Sequence, residues 1–550
     1  MLRRRHLGRV TFVEANDLQR ALLQSRDDYV LLFEHPPTYT RGVRTVPEHF
    51  LVPPEQVVGV VVDADRGGDV TYHAPGQVVA WAIVSVADDP TAGKAHVRRL
   101  EDAVIETVRR VDPARRLGAV GRLEGYPGVW ANLDNTPAKI AAVGVRTERN
   151  HHGVRRTLHG VALNVDIDLT GFAAIVPCGI ADRPVASLRS LGLDVTSSDV
   201  EETLGEELSE RLGGDARVAR VTRASHGVVT ITEERPLTRR LRDAGVDPSG
   251  GLSLRTRKPS WLRVGAHMGE EFRSLRQLTE ELRLVTVCEE AGCPNIFECW
   301  ASGTATFMVN GERCTRACGF CLVDTRKPRP LDPSEPERVS DAVVHLKLAH
   351  AVITCVARDD LLDGGAGAIA ATVRAIRDKS PDTAVEVLTS DLKGSVEALR
   401  VLLDVRPDVL NHNIETVARL QRAVRPSAGY LRSLTVLARS AEAGLTTKSG
   451  LMVGLGESAD EVEEALADLA AVGVQIVTIG QYLRPSERHL PVARFWEPAE
   501  FVDLAERGRR LGLAHVQSSP LTRSSYHARD ALSDATSVAG PSRRPSPLRH

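Results

Sequence analysis

The sequence predicts an α/β protein built from more than one domain, and three observations carry that reading. At 550 residues the chain is too long for one compact core, so two or three domains are expected. From Pro259 onward short apolar strands alternate with longer helical stretches, the pattern of a parallel sheet that forms a barrel or part of one. Ahead of residue 222 a separate set of strand-like runs makes a first α/β unit, and between the two the periodicity decays.

In the first unit, residues 1–222, the apolar runs 30–33, 57–62, 78–84, 140–145 and 161–165 read as strands. Residues 97–111 have amphipathic helical spacing, and a second helix around 198–212 closes the unit. Residues 223–258 contain Pro236, Pro248, the pair Gly250-Gly251 and basic side chains such as Arg239, Arg240, Arg255 and Lys258. That composition suits an exposed linker with one short helix. In the second unit, residues 259–530, strands are expected at 306–309, 351–354, 384–388, 408–410, 449–453 and 475–479. Helical patterns at 342–348, 369–376 and 461–469 lie between several of them. Residues 531–550 read as a disordered tail.

Composition narrows the class. Apolar content of 42% and charged content of 26% are ordinary for a soluble globular protein, and a net charge of −2 offers no global basic field for nucleic acid. The basic start MLRRRHLGRV is followed by TFVEANDLQR, where a signal peptide would need an apolar core. The run 57–62 is far too short to span a membrane. A cytoplasmic location is therefore expected, with neither nucleic acid nor membrane as partner. The eight cysteines fit a reducing compartment better than a disulfide framework.

Six of the eight cysteines fall between Cys288 and Cys321, in two triplets of different spacing: Cys288-x4-Cys293-x5-Cys299 and Cys314-x3-Cys318-x2-Cys321. Thiols clustered this closely serve a metal, whose ligands must converge as thiolates. A structural zinc site takes four N or S ligands, whereas an iron–sulfur cluster held by three cysteines leaves one iron for another ligand. The triplets point to iron–sulfur, with zinc and disulfides as the alternatives. The second triplet starts five residues after the strand at 306–309, on the side of the sheet where such barrels do their chemistry.

Cys178 stands apart, in VPCGI, where it could be a small buried hydrophobe. Its context suggests more. Arg66, Gly67, Gly68, Asp69, Val70, Thr71, Tyr72 and His73 form a polar, glycine-paired stretch whose backbone can approach a ligand closely. Lys139 opens the run 140–145, in a chain with only eight lysines among 70 basic residues. Arginine holds a fixed charge, but only lysine can also carry a proton to and from a reacting amine or thiol near neutral pH.

RGGDVTYH at 66–73, PGVW at 127–130, KIAAVGVR at 139–146, HGVALNV at 159–165 and PCGI at 177–180 resemble, in order, the lipoyl(octanoyl) transferase family. The resemblance implies an α+β, biotin/lipoate protein ligase-like fold. It implies that Cys178 takes an octanoyl group from acyl carrier protein as a thioester, with Lys139 as the second catalytic residue. The acyl group then passes to a lysine of a lipoyl domain. Residues 66–73, with Ala142, Val143, Gly144 and Gly160, Val161, Ala162, would bind the acyl substrate. Ala74 departs from the family's usual glycine.

The triplet Cys314, Cys318, Cys321, with Phe320 between its last two members, resembles the radical S-adenosylmethionine (SAM) signature. Together with KPSWLRV at 258–264, CEEAGCPNIFECW at 288–300, RDDLLDGGA at 358–366, NHNIET at 411–416, SGLMVGLGE at 449–457 and RSSYHA at 523–528, it resembles lipoyl synthase. That resemblance implies a partial (β/α)6-type barrel and two 4Fe–4S clusters. One binds SAM on Cys314, Cys318 and Cys321. The other is an auxiliary sulfur donor on Cys288, Cys293, Cys299 and Ser525. Asp363, Gly364, Gly365, Asn411, Asn413, Gly454, Gly456 and Glu457 would serve SAM. Leu322 and Cys355 depart from the family's usual aspartate and serine.

The two resemblances imply consecutive steps on one carrier lysine: octanoyl transfer, then sulfur insertion at C6 and C8. The implied partners are octanoyl-acyl carrier protein, the lipoyl domains of 2-oxoacid dehydrogenase complexes and the glycine cleavage H protein, and an electron donor such as ferredoxin or flavodoxin. The rival readings are another radical SAM sulfur-insertion enzyme fused to a lipoate or biotin ligase-like domain, and a non-catalytic iron–sulfur carrier.

Overall fold

The computed structural model describes residues 1–221, 236–263, 285–286 and 304–539. The chain divides into two units, Met1–Arg220 and Val221–His550.

The first unit contains β1 (Leu2–Arg9), α1 (Phe12–Leu22), β2 (Asp28–Glu34), β3 (Thr38–Arg41), β4 (Val60–Asp63), β5 (Thr71–His73), β6 (Gln77–Ile83), α2 (Ala92–Val111), β7 (Gly121–Leu123), β8 (Tyr126–Ala131), β9 (Ala138–Arg149), β10 (Arg155–Asn164), α3 (Ser197–Leu212) and β11 (Ala216–Arg220). Its main sheet has the order β11-β1-β2-β6-β10-β9-β8-β7, and a small sheet has the order β4-β3-β5. Leu100, Val104 and Val108 of α2 and Val200, Leu204 and Leu208 of α3 bury their apolar stripes against Val30, Val78, Ile140 and Leu163 of the sheet. The expected strand at 57–62 is shorter than its apolar run. Gly59 adopts φ +134, Val58 is 82% exposed, and β4 begins only at Val60.

β1 is a strand that the apolar pattern did not signal, because its sequence is LRRRHLGR. Arg3, Arg4, Arg5 and His6 are nonetheless buried. Arg3 pairs with Asp27 at 2.7 Å, Arg4 with Glu202 at 2.8 Å and His6 with Glu201 at 2.8 Å, while Arg5 lies over the Tyr29 ring. Buried charge is tolerated where it is paired.

In the second unit, β12 (Val285–Thr286) pairs antiparallel with β13 (Thr304–Val309). From there the sheet continues in sequence order and in parallel through β14 (His350–Cys355), β15 (Ala384–Leu388), β16 (Val409–Asn411), β17 (Thr446–Val453), β18 (Ile476–Gln481) and β19 (His515–Ser518). The six strands expected from the sequence are present, with β12 and β19 added at the edges. Helices Glu335–His345, Ala366–Lys379, Val396–Asp404, Tyr430–Glu442, Ala459–Ala471 and Pro498–Arg510 are the crossovers. The domain is therefore a parallel α/β array whose strand ends converge at one rim.

Two expectations are corrected. Residues 236–263, read as exposed linker up to 258, fold onto the second unit. Helix Pro236–Asp243 buries Leu241, the Arg419 guanidinium bonds the Ala244 carbonyl, and Leu252 N–H donates to the Val492 carbonyl at 2.7 Å. Its apolar residues find partners far along the chain, beyond what local composition records. The tail expected from 531 is helical as far as Ala539, in Ala528–Ala539, where Ala531 and Ala535 pack on Ile476. No helix among the described residues is long and apolar enough to cross a membrane.

Candidate active sites

In the first unit the glycine-paired stretch and the two strands named with it come together. Across β9 and β10, Gly144 faces Gly160, Val143 faces Val161 and Ala142 faces Ala162, so two stretches distant in sequence form one patch in register. The loop ahead of β5 lies on this patch: Gly67 N–H meets the Val145 carbonyl at 3.3 Å. A Cβ on Gly144 would sit 2.8 Å from the Gly67 carbonyl oxygen, so only glycine permits that approach.

Lys139 is buried on β9, with Nζ 5.8 Å from the centre of the Trp130 ring. Among the described residues no carboxylate forms an ion pair with it. Gly128, at φ +107, makes room for it: a Cβ there would lie 2.8 Å from Lys139 Cε.

Cys178 sits in the turn Pro177–Gly179 at φ 57, ψ 20, the left-handed region that costs a non-glycine residue about 1–2 kcal/mol. Its N–H donates to the Val70 carbonyl at 2.9 Å. The Arg66 guanidinium is anchored on Thr40, at 2.8 Å to the carbonyl and 2.7 Å to Oγ1. Burial lowers its pKa from the ordinary arginine value, while the charges of Cys178 and Asp69 act to raise it. The thiol and Asp69 therefore share the field of a buried guanidinium.

Other members of the stretch are engaged internally. His73 is buried, with Nδ1 2.6 Å from Gln77 Oε1, and burial holds its pKa well below the ordinary histidine value. Tyr72, Val70 and Ala74 share an apolar cluster with Tyr39 and Phe172, so the departing Ala74 methyl packs in core. Thr71 is buried on β5.

In the second unit the loop after β13 carries Cys314, Cys318 and Cys321, pinned from several sides. Cys314 N–H donates to the Asp324 carbonyl at 2.8 Å, Gly319 N–H to Val424 at 2.8 Å, and Leu490 N–H to Gly319 at 2.9 Å. Arg316, inside the loop, is buried between Asp359 and Asp391, at 2.8 and 2.6 Å. Burial pushes the Cys318 thiol up to about 12 and that of Cys321 to about 11, with the neighbouring thiols adding to both.

Three thiols that feel one another, with the Arg316 N–H 3.4 Å from Cys314 Sγ, are a donor set suited to a 4Fe–4S cluster. Among the described residues no three such side chains are close enough to share one metal ion. A cubane asks for less, since each thiolate binds its own iron. Cys288, Cys293 and Cys299 lie outside the described residues. Ser525 is half-buried next to Ser524, whose hydroxyl accepts from Asn411 Nδ2 at 3.0 Å and donates to Asn413 Oδ1 at 3.1 Å.

The remaining positions named for SAM are at the carboxyl rim, several with their polar atoms already bonded. Asp363 accepts from Gly365 and Gly367 N–H at 2.9 and 2.8 Å, with Gly364 and Gly365 at positive φ. Glu457 accepts from Gly454 and Leu455 N–H and, at 3.1 Å, from Trp496 Nε1; Gly456 lies against Val246. Asn411 donates to Glu386, which forms a buried pair with Lys448 at 3.0 Å. Sequence reasoning missed Arg316 and the Glu386–Lys448 pair, whose partners are far apart in the chain. Cys355 is part-buried against the core at the end of β14.

Comparisons agree with this division. Residues 12–209 match the family model for the lipoyl protein ligase A/B catalytic domain, and residues 308–469 that for the radical SAM superfamily. A lipoyl synthase of Rubrobacter xylanophilus is 54% identical over 280 residues, which cover 50% of this chain and 87% of the relative. One from Symbiobacterium thermophilum is 54% identical over 290 residues, 52% of this chain and 91% of the relative. A solved bipartite lipoate protein ligase from Thermoplasma acidophilum is 19% identical, with 40% of this chain and 87% of that one covered, at a TM-score of 0.30.

Proposed function

Because the chain belongs to the lipoyl synthase family through its C-terminal half, and carries a lipoyl protein ligase A/B catalytic domain ahead of it, we propose that it performs two consecutive steps of protein lipoylation. In the first, Cys178 takes an octanoyl group from acyl carrier protein and passes it to a lysine of a lipoyl domain. Those of 2-oxoacid dehydrogenase complexes and the glycine cleavage H protein are the acceptors. In the second, two sulfur atoms enter that chain at C6 and C8.

The observation that carries the first step is the Cys178 turn, strained at φ 57 and within the field of Arg66. The patch of Ala142, Val143, Gly144, Gly160, Val161 and Ala162 holds the acyl chain, and residues 66–73 close over it. Lys139, buried without a carboxylate partner among the described residues, moves the proton between incoming amine and departing thiol.

The family's cofactors are SAM and two 4Fe–4S clusters. Cys314, Cys318 and Cys321 hold one, and Cys288, Cys293, Cys299 and Ser525 the other. When bound, these groups supply the one-electron chemistry that an unactivated C–H bond requires, with ferredoxin or flavodoxin as reductant. Arg316, clamped by Asp359 and Asp391, keeps the cysteine loop at the rim. Asp363, Gly364, Gly365, Asn411, Asn413, Gly454, Gly456 and Glu457 shape the SAM pocket beside it.

The first step has a direct test. The full chain, mixed with octanoyl-acyl carrier protein and no ATP, should gain one octanoyl group on the Cys178 peptide by mass spectrometry. A requirement for ATP and a free acid would overturn the transfer reading in favour of a ligase.

A further inference from the structure

Residues 236–252 lie between the two regions that match family models, 12–209 and 308–469, yet they touch the second site at two places. Helix Pro236–Asp243 ends at Gly245, which adopts φ +78. The Gly245 N–H donates to the Arg242 carbonyl at 2.8 Å, and the Val246 N–H to the Leu241 carbonyl at 3.1 Å. This is a Schellman ending, which fixes the direction of the residues on both sides of the glycine. It sends the Ala244 carbonyl to Arg419 and the Val246 side chain to Gly456.

The turn at 454–457 rests on that side chain. Gly456 has φ +110, and a Cβ there would lie 2.6 Å from Val246 Cγ2, so no larger residue fits between them. Arg419 makes the same connection through polar atoms. Its guanidinium bonds the Ala244 carbonyl and, at 2.8 Å, the Gly456 carbonyl. Glu461 orients it through two contacts, at 2.6 and 2.8 Å.

The start of the helix reaches the cysteine loop. A Cβ on Gly319, between Cys318 and Cys321, would lie 3.5 Å from Leu237 Cδ2 and 2.7 Å from Leu490 Cδ1. Residues 490–493 then run past all three partners. Leu490 N–H donates to the Gly319 carbonyl at 2.9 Å, and the Val492 carbonyl accepts the Leu252 N–H at 2.7 Å. Ala493 N–H donates to the Gly454 carbonyl at 2.8 Å. One short stretch and one strip therefore brace the same two loops, and close packing passes a change in either on to the other.

We propose that residues 237–246 belong to the second active site as a positioning element. Leu237 seats the cysteine loop, Val246 seats the turn at 454–457, and together they set the spacing that SAM binding requires. The inference rests on the lipoyl synthase reading above, which gives the first loop a cluster and the second a share of SAM.

The test uses the full chain with its clusters assembled, and neither readout is turnover. One is SAM affinity by equilibrium dialysis; the other is the change that SAM causes in the electron paramagnetic resonance spectrum of the reduced protein. Val246→Asp should weaken SAM binding roughly 10- to 100-fold while leaving the spectrum without SAM unchanged. Leu237→Asp should instead diminish the SAM-responsive signal itself. Val246→Ile should restore binding, and Arg239→Ala, exposed on the same helix, should change neither readout. A merely structural role would lower both readouts together in both variants. Where an aspartate variant does not fold, Val246→Ala and Leu237→Ala should act in the same directions, more weakly. A folded Val246→Asp chain with SAM affinity within twofold of wild type would overturn the proposal, as would a folded Leu237→Asp chain with the full signal. If the wild-type chain binds no SAM, the lipoyl synthase reading fails instead, and the reduced-cluster signal of Leu237→Asp still decides the part of that residue.

Discussion

Cys178 and the Cys314–Cys318–Cys321 loop place the same functional group in opposite settings. Cys178 is offered singly, on a strained turn, within the field of a buried guanidinium. The loop thiols are grouped and pinned, and burial with mutual repulsion holds two of them protonated far above neutral pH. In the scheme proposed above, a thiol that attacks is served by a cation in its field, whereas thiols that hold a cluster can wait for the metal to supply the charge. On that proposal environment, and not residue type, divides the work between the two units.

The largest expected effects separate the two settings. Cys178→Ala should lower octanoyl transfer by about 10⁴-fold or more while leaving sulfur insertion into a pre-octanoylated acceptor intact. Cys314→Ala should do the reverse and lose iron, measured by metal analysis of the purified chain. If either folded variant lost both activities, the two-site division would break.

Next comes the buried pair beneath the rim of the second unit. Burial would raise the Glu386 pKa, but Lys448, His350 and Asn411 outweigh it and hold the carboxyl at about 2. Glu386→Ala leaves the Lys448 ammonium buried without its partner and should cost about 3–5 kcal/mol in urea denaturation. The first unit, read by proteolysis with peptide mass spectrometry, should be unaffected.

Acid should strike the units unequally. Burial lowers His35 and His96 to about 4 and His159 to about 3 in the first unit. Among the described residues of the second unit, only His412 is so lowered, to about 4. The unfolded chain takes up these protons first as pH falls below about 6.5, so stability is complete above that value and lost below it. Between pH 6.5 and 5 each such histidine should cost up to about 2 kcal/mol. Proteolysis at pH 5 should therefore open the first unit before the second.

The smallest effect concerns the lysine's seat. Gly128→Ala, at φ +107 with its added Cβ 2.3 Å from the Ala141 carbonyl oxygen and 2.8 Å from Lys139 Cε, should cost about 1–3 kcal/mol and slow acyl transfer by shifting the β9 backbone and that side chain. Sulfur insertion should not change.

Much of this was legible in the sequence where signals are local. The six parallel strands, the α2 and α3 helices and the cysteine spacing are short-range patterns. The register that joins 142–144 to 160–162 gives those motifs a spatial meaning. What escaped depended on distant partners. β1 looks like a basic start because Asp27, Glu201 and Glu202, which neutralise it, lie far along the chain. Residues 236–263 look like linker until Val492 and Arg419 are beside them. The rim loops show the opposite lesson. Asp363 and Glu457 sit in the expected motifs, yet their carboxylates bond their own loops' N–H groups, so their effect on a cofactor runs through loop shape.

The central claim is that one chain performs both steps. Its most direct test is the mass of an apo lipoyl domain incubated with the full chain, octanoyl-acyl carrier protein, SAM and a reductant. The account predicts an octanoyl adduct that converts to the lipoyl mass on the same lysine. A domain that stays unmodified without ATP and free lipoate, or that stops at the octanoyl mass with both clusters assembled, would contradict it.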